Sequence, residues 1–183
     1  MSLRILGGEF KGRRLKVPKS SLIRPTSSLV RKSLFDICSY QINQGRFLDV
    51  FAGSGSIGIE ALSRGASQAI FIEKQKYFAK IIQDNLSLLQ ITDKSRLLVG
   101  DALYFLKRFL QKVEAFHCIY LDPPYQSSLD KYLAVIDSGN LLAANGLFFV
   151  ETDKKELSYQ FQKLKLKDCR KFGSTYLYQF ELP

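Results

Sequence analysis

One histidine and three scattered cysteines in 183 residues leave little for metal or redox chemistry. Cys38, Cys118 and Cys169 are far apart and odd in number. They give neither a disulfide framework nor CxxC metal spacing, and they fit a reducing cytoplasm. His117 opens an apolar segment and reads as a packing or strand-end residue, so no metal is expected. No apolar run reaches the roughly 18 residues of a membrane span. No apolar segment follows the N-terminus as in a signal peptide. Internal repeats and low-complexity stretches are also missing, so one domain with at most a small appendage is expected.

Acidic residues are scarce at both ends. Residues 1–45 hold nine Lys/Arg against two Asp/Glu, and residues 154–171 hold seven against two. Residues 46–153 are close to neutral, with eleven against twelve. A general solubility surface would spread its charge, so the basic flanks point to a polyanion, nucleic acid above all. Arg13, Arg14, Arg24, Arg31 and Lys32 are the candidate phosphate contacts. In the C-terminal block, Lys163, Lys165 and Lys167 alternate on one side of an expected strand.

Residues 3–17 read as a hairpin with turns at Gly7-Gly8 and Lys11-Gly12. Thr26 or Ser27 caps a helix running to about Tyr40, with Val30, Leu34 and Ile37 on one face. From residue 46, strands and helices alternate. Strands are expected at 47–51, 69–73, 97–99, 117–121 and 146–150. Helices fall at 57–64, 76–89, 102–111 and 129–138, the second anchored by Tyr77, Ile81 and Leu88. Five such units imply a parallel sheet with helices on both faces. Beyond residue 153, strands near 161–170 and 174–182 form a hairpin.

Gly53, Gly55 and Gly58 stand in a GxGxxG spacing between the first of these strands and its helix, and Glu73 follows Gly53 by 20 residues. That context points to an adenosine-containing cofactor. Asp49 precedes the glycines, where a carboxylate suits the cations of S-adenosylmethionine and would repel a pyrophosphate. Asp101 ends the third strand and can accept adenine N–H bonds.

Two of only five prolines are adjacent, in Asp122-Pro123-Pro124-Tyr125. They close the apolar run Cys118–Leu121, because neither can donate to a ladder. An acid, a carbonyl and a ring at the carboxyl end of a strand can grip a planar exocyclic amine. Asp122 and the Pro123 carbonyl accept its two N–H bonds, and Tyr125 stacks on its face.

These residues, with Arg4-Ile5-Leu6-Gly7-Gly8, Lys11-Gly12-Arg13, Arg24-Pro25-Thr26 and Gly58 to Ala66, resemble class I S-adenosylmethionine-dependent methyltransferases. The chain is similar, more narrowly, to the bacterial 16S rRNA guanine-N2 methyltransferases of the RsmD kind. The N-terminal block is the specific part, since the other motifs recur in many methyltransferases. The resemblance implies an α/β Rossmann-like fold: a seven-stranded, mostly parallel sheet with an antiparallel last strand. It implies a basic hairpin-and-helix extension over residues 1–45 and a methyltransferase domain over residues 46–183. The implied cofactor contacts are Asp49, Phe51, Gly53, Gly55, Glu73, Asp101, Ala102 and Asp122. The implied catalytic set is Asp122, Pro123, Pro124 and Tyr125. The implied partner is 16S rRNA in the small ribosomal subunit, acted on by a monomer. The chain ends soon after its last strand, so RNA contacts are expected from the N-terminal block and the sheet rim.

Other readings differ in what they need. A DNA adenine-N6 or cytosine-N4 methyltransferase would need room for a target-recognition domain. A protein glutamine-N5 methyltransferase would not need the basic N-terminus. A nicotinamide oxidoreductase would not need the row of acids, and a non-catalytic RNA-binding protein would be expected to have lost it.

Overall fold

The computed structural model describes residues 3–18, 26–112, 115–124 and 128–183. Arg24 and Tyr125 therefore lie outside the described residues.

Leu3–Arg4 (β1) and Arg14–Leu15 (β2) form a short antiparallel ladder. Helix α1 spans Ser28–Ile37, and the Ser27 hydroxyl accepts from the Val30 amide at 3.2 Å, which makes Ser27 the cap. The expected single helix to Tyr40 breaks at Cys38, and a short α2 follows at Ser39–Ile42.

The main sheet then builds from β3 (Arg46–Val50), β4 (Gln68–Glu73), β5 (Ser95–Val99), β6 (Phe116–Leu121), β7 (Leu142–Thr152), β8 (Lys165–Phe172) and β9 (Thr175–Glu181). Its order is β5-β4-β3-β6-β7-β9-β8. All pairs are parallel except those of β9, which runs against both β7 and β8. The helices are α3 (Ser56–Ser63), α4 (Lys76–Leu89), α5 (Ala102–Lys112) and α6 (Asp130–Ser138).

The central strands are apolar on both faces because both are covered. On one face Phe47, Phe71, Cys118, Tyr120 and Phe149 pack with α1, α3, α4 and the hairpin residues Ile5 and Leu15. On the other, Leu48, Val50, Ile70, Ile119, Leu121 and Phe148 pack with α5 and α6. The extension thus shares the core of the sheet. Gly8 has φ of 77°, and a Cβ there would meet the Ser63 carbonyl at 1.8 Å. That close approach lets the turn lie flat on α3. The Glu60 carboxylate accepts from the Leu6 amide at 2.8 Å, and the Asn85 side chain bonds both the amide and carbonyl of Lys16.

Two packing expectations are corrected. Helix α4 buries Phe78, Ile82, Asn85, Leu86 and Leu89 along with Ile81, while Tyr77 and Leu88 are exposed. A 3.6-residue stripe starting at Phe78 is the one that meets the sheet. The lysines of the C-terminal block do not alternate along a strand. Lys163 precedes β8 and bonds the Ser138 carbonyl, and a register shift between Leu166 and Asp168 breaks the period before Lys167.

His117 is structural: its Nδ1 accepts the Arg46 amide at 3.0 Å. The Asp137 carboxylate, buried under the loop before β8, accepts the amides of Gln162, Lys163 and Leu164. Among the described residues no helix is long and apolar enough to cross a membrane, and no cluster of His, Cys, Asp or Glu could hold a metal ion.

Candidate active site

In a sheet of this kind, the strands' carboxyl ends form one rim. Asp101 follows β5, Glu73 ends β4, Asp49 lies near the end of β3, and Asp122 follows β6. Asp49, Phe51, Gly53, Thr26, Tyr120 and Asp122 meet in a narrow cleft of about 40 Å³. A roomier cleft of about 380 Å³ is lined by Phe10, Arg13, Leu88 and Lys94 among others. It reaches the connection into the start of β5, at the amino ends of the strands and so at the other end of the sheet from the acids.

The chain turns sharply after β3. Phe51 takes φ of 68°, and Gly53 and Gly55 take 54° and 77°. A left-handed phenylalanine is costly, of the order of 1–3 kcal/mol, and such strain gathers at functional sites. The Phe51 ring is held edge-on against Tyr132 at 5.1 Å between centroids. The Glu73 carboxylate accepts the Gly53 amide at 2.9 Å and the Gln75 amide at 2.7 Å, which fixes the glycine turn. Asp49 accepts the Gly58 amide at 2.9 Å, in the first turn of α3. The Asn85 side chain bonds the Ser54 carbonyl at 3.3 Å and so links the hairpin to the turn.

Burial raises the Asp49 pKa to about 7, against the Gly58 hydrogen bond that lowers it, with Glu73 adding a further rise. Burial likewise raises Glu73, opposed by the backbone amides of Gln75, Gly53 and Lys74. Asp122 keeps some surface on the cleft, yet burial of its carboxyl, then the nearby Glu151 and Asp49, push it well above the usual carboxylate range. A rim this rich in desolvated acid is suited to a cation. Asp101 differs: it is exposed, and its carboxylate caps α5 through the Leu103 and Tyr104 amides. Ala102 is buried at the start of that helix.

The last pair of the β6–β7 register is Leu121 with Val150. Asp122 therefore stands beside Glu151, a fifth acid in the row that sequence reasoning did not identify. Its signal was the Glu151-Thr152 that ends an apolar strand, as Asp122 does. Tyr120 was also missed. Its buried hydroxyl donates to Glu151 and lies 3.2 Å from the Thr26 hydroxyl. Burial first, then the acids Glu151 and Asp122, hold its pKa well above normal.

Of the candidate phosphate contacts, Arg13, Arg14 and Lys32 are exposed. Arg31 is corrected. It is 2% exposed, and its guanidinium donates to the Arg4 carbonyl at 2.9 Å with Glu60 4.0 Å away. It ties α1 to the hairpin and offers no face to a phosphate. It lies one turn beyond Ser27, on the side of α1 that the hairpin covers, which a helical projection of α1 alone could not show.

The family model described as conserved hypothetical protein 95 matches residues 3–181. The ribosomal RNA small subunit methyltransferase D of Haemophilus influenzae is 37% identical over 154 residues, which cover 83% of this chain and 79% of that one. A solved structure from Escherichia coli superposes with a TM-score of 0.86 at 27% identity, covering 100% of this chain and 98% of that one. An RNA methyltransferase from Salinibacter ruber, solved with S-adenosyl-L-homocysteine, shares the fold with a TM-score of 0.66 at 14% identity, covering 87% of this chain and 94% of that one.

Proposed function

This chain belongs to the conserved hypothetical protein 95 family, and from that premise and the rim geometry we propose that it is an S-adenosylmethionine-dependent rRNA methyltransferase. It acts on the exocyclic N2 of a guanine in the 16S rRNA of the small ribosomal subunit, in the cytoplasm, as a monomer. The observation that carries the reading is the unbroken row of acids on one sheet rim beside the strained Phe51 turn.

The residues present fit the cofactor. The left-handed glycine turn allows close approach of a nucleoside, Glu73 at the end of β4 and Asp101 after β5 would take ribose and adenine, and Asp49 is a desolvated acid for a cationic end. When bound, S-adenosylmethionine supplies a methyl group already activated on a sulfonium.

The chain's own part is to hold the amine. A guanine N2 lone pair is delocalised into the ring. Asp122 and the Pro123 carbonyl accept its two N–H bonds, which favours tetrahedral geometry and frees the lone pair. The gain comes from positioning and electrostatics in a water-poor cleft. Tyr125 stacks on a base turned out of its loop, a move that RNA loops allow at low cost. Asp122 takes up the proton once methyl transfer is under way, so it need not be a strong base. Exposed Arg13, Arg14 and Lys32, with Arg24, contact phosphates.

The test uses small subunits from a strain lacking the gene, incubated with purified protein and labelled S-adenosylmethionine. Primer extension and mass mapping should find one new N2-methylguanine in 16S rRNA. Label on another base, on protein, or nowhere overturns the reading.

A further inference from the structure

A methyltransferase acting on an exocyclic amine must refuse adenine and cytosine, which carry amines of similar shape. Asp122 and a carbonyl cannot make that choice alone, because both grip any amine. The discrimination must come from the ring nitrogen beside it. Guanine offers an N1–H donor there, whereas adenine N1 and cytosine N3 are lone-pair acceptors.

The rim has a direction that bears on this choice. Asp101, Glu73 and Asp49 occupy the β5, β4 and β3 ends, so the cofactor side is the side away from β7. The acceptor base must approach Asp122 from the other side, over the ends of β6 and β7. Glu151 stands there. The β6–β7 register pairs Tyr120 with Phe149 and Leu121 with Val150, which sets Glu151 alongside Asp122 on the same sheet face. Neighbouring strands lie about 4.8 Å apart, a span that two carboxylates can close on adjacent atoms of one base edge. Glu151 is 9% exposed, at the margin of burial. It is oriented by the buried hydroxyl of Tyr120, a residue that lines the cleft, and that hydroxyl lies 3.2 Å from the Thr26 hydroxyl. A carboxylate offers about four acceptor sites, and Tyr120 takes one of them.

We propose that Glu151 accepts the N1–H of the target guanine while Asp122 accepts from N2, so that the Asp122–Glu151 pair selects guanine among amine-bearing bases. This rests on the reading of the protein as a guanine-N2 methyltransferase. Against adenine or cytosine, the Glu151 carboxylate would face a lone pair in a desolvated setting, which is repulsive. Tyr120 is a positioning residue: it holds Glu151 from the side and does not touch the base.

The test compares two acceptors in reconstituted small subunits, with guanine or 2-aminopurine at the target position. 2-Aminopurine keeps the amine but has a lone pair at N1. The wild-type protein should favour guanine by about 100-fold in kcat/KM, the scale of a good base-edge contact. Glu151→Gln should lose most of its activity on guanine and bring that preference to about 10-fold or less. Its amide oxygen still accepts from Tyr120, and circular dichroism checks that the fold is kept. 2-Aminopurine also lacks O6, but that loss affects both proteins alike, so the change in the ratio isolates the N1–H contact. Equal use of both bases by the wild type would overturn the inference, and that arm needs no variant. So would a Glu151→Gln protein with an undiminished preference. If the wild type methylates no guanine N2 at all, the functional reading has failed instead.

Discussion

On the β3–β4–β5 side of the rim, each acid is held by main chain: Asp49 by the Gly58 amide, Glu73 by those of Gly53 and Gln75, Asp101 by those of Leu103 and Tyr104. On the β6–β7 side, orientation passes between side chains, from Thr26 to Tyr120 to Glu151, with Asp122 alongside. On the proposed reading, a cofactor shared by many enzymes would be met by geometry that any sequence of the right backbone shape can supply. A particular base would be met by side chains, which one substitution can change. The second group also leans on the N-terminal extension, since Thr26 leads into α1. Changes on the acceptor side should therefore alter chemistry and base choice, and changes on the cofactor side should alter affinity.

The largest expected effect separates the two halves outright. Asp122→Ala should lower methyl transfer by about 10²- to 10⁴-fold, the range of a positioned proton-accepting group. Affinity for S-adenosylhomocysteine should stay within a few-fold by calorimetry. Near-normal turnover in this variant would remove Asp122 from the amine grip.

The next concerns the support beneath the acceptor side. Glu60 is fully buried, accepts from the Leu6 amide and from Arg64, and faces buried Arg31. Glu60→Ala leaves the Arg31 charge with no buried counter-ion, so it should cost about 3–5 kcal/mol in thermal or urea unfolding. Arg31→Met in the same background should recover part of that loss. An unchanged midpoint for Glu60→Ala would mean that the extension is not clamped through this pair.

On the cofactor side, Glu73→Ala should weaken S-adenosylmethionine binding by about 1.5–3 kcal/mol, the scale of a charged hydrogen bond. Asp49 adds a pH dependence. Its pKa is raised to about 7 by burial, so the cofactor-free protein holds that proton well above the range of a free aspartate. Its ionisation therefore costs stability that appears as pH rises from about 4 toward 7. A cationic ligand favours the anion, so its affinity should fall as pH drops below about 7, with proton release on binding. Asp49→Asn should flatten that slope, and a wild-type affinity flat from pH 5 to 8 would place the ligand's cation elsewhere.

How much of this was legible in the sequence follows the same division. The β3 to β6 strands, the helix at Lys76–Leu89 and the rim acids at Asp49, Glu73, Asp101 and Asp122 were readable, because they depend on local period and on residues next to strand ends. Glu151 was not, because its role comes from lying beside Asp122 across a parallel pair some 29 residues apart in sequence. Arg31 was misread as surface because the hairpin that covers it is distant in the chain. Phe51 was placed at the cofactor turn by its neighbours, but its left-handed backbone has no sequence signal, since a glycine would be the expected residue.

The smallest effect tests whether the basic hairpin belongs to either half of the rim. Arg13 and Arg14 are exposed, and among the described residues the Arg13 side chain makes one long 3.5 Å bond, to the Leu88 carbonyl, so replacing both leaves the core intact. Each phosphate neutralised contributes about 0.7–0.9 to the slope of log affinity against log salt. Arg13→Ala with Arg14→Ala should weaken rRNA or subunit binding at low salt and flatten that slope by roughly one to two units. Cofactor affinity should be unchanged, because neither residue lines the rim cleft. If these arginines only solvate the hairpin, the slope stays as in the wild type. Filter binding across a salt series decides between the two, and circular dichroism confirms that the variant is folded. A flattened slope with unchanged guanine preference would show that the extension supplies contact with the polyanion, while the choice of base stays with the β6–β7 side chains.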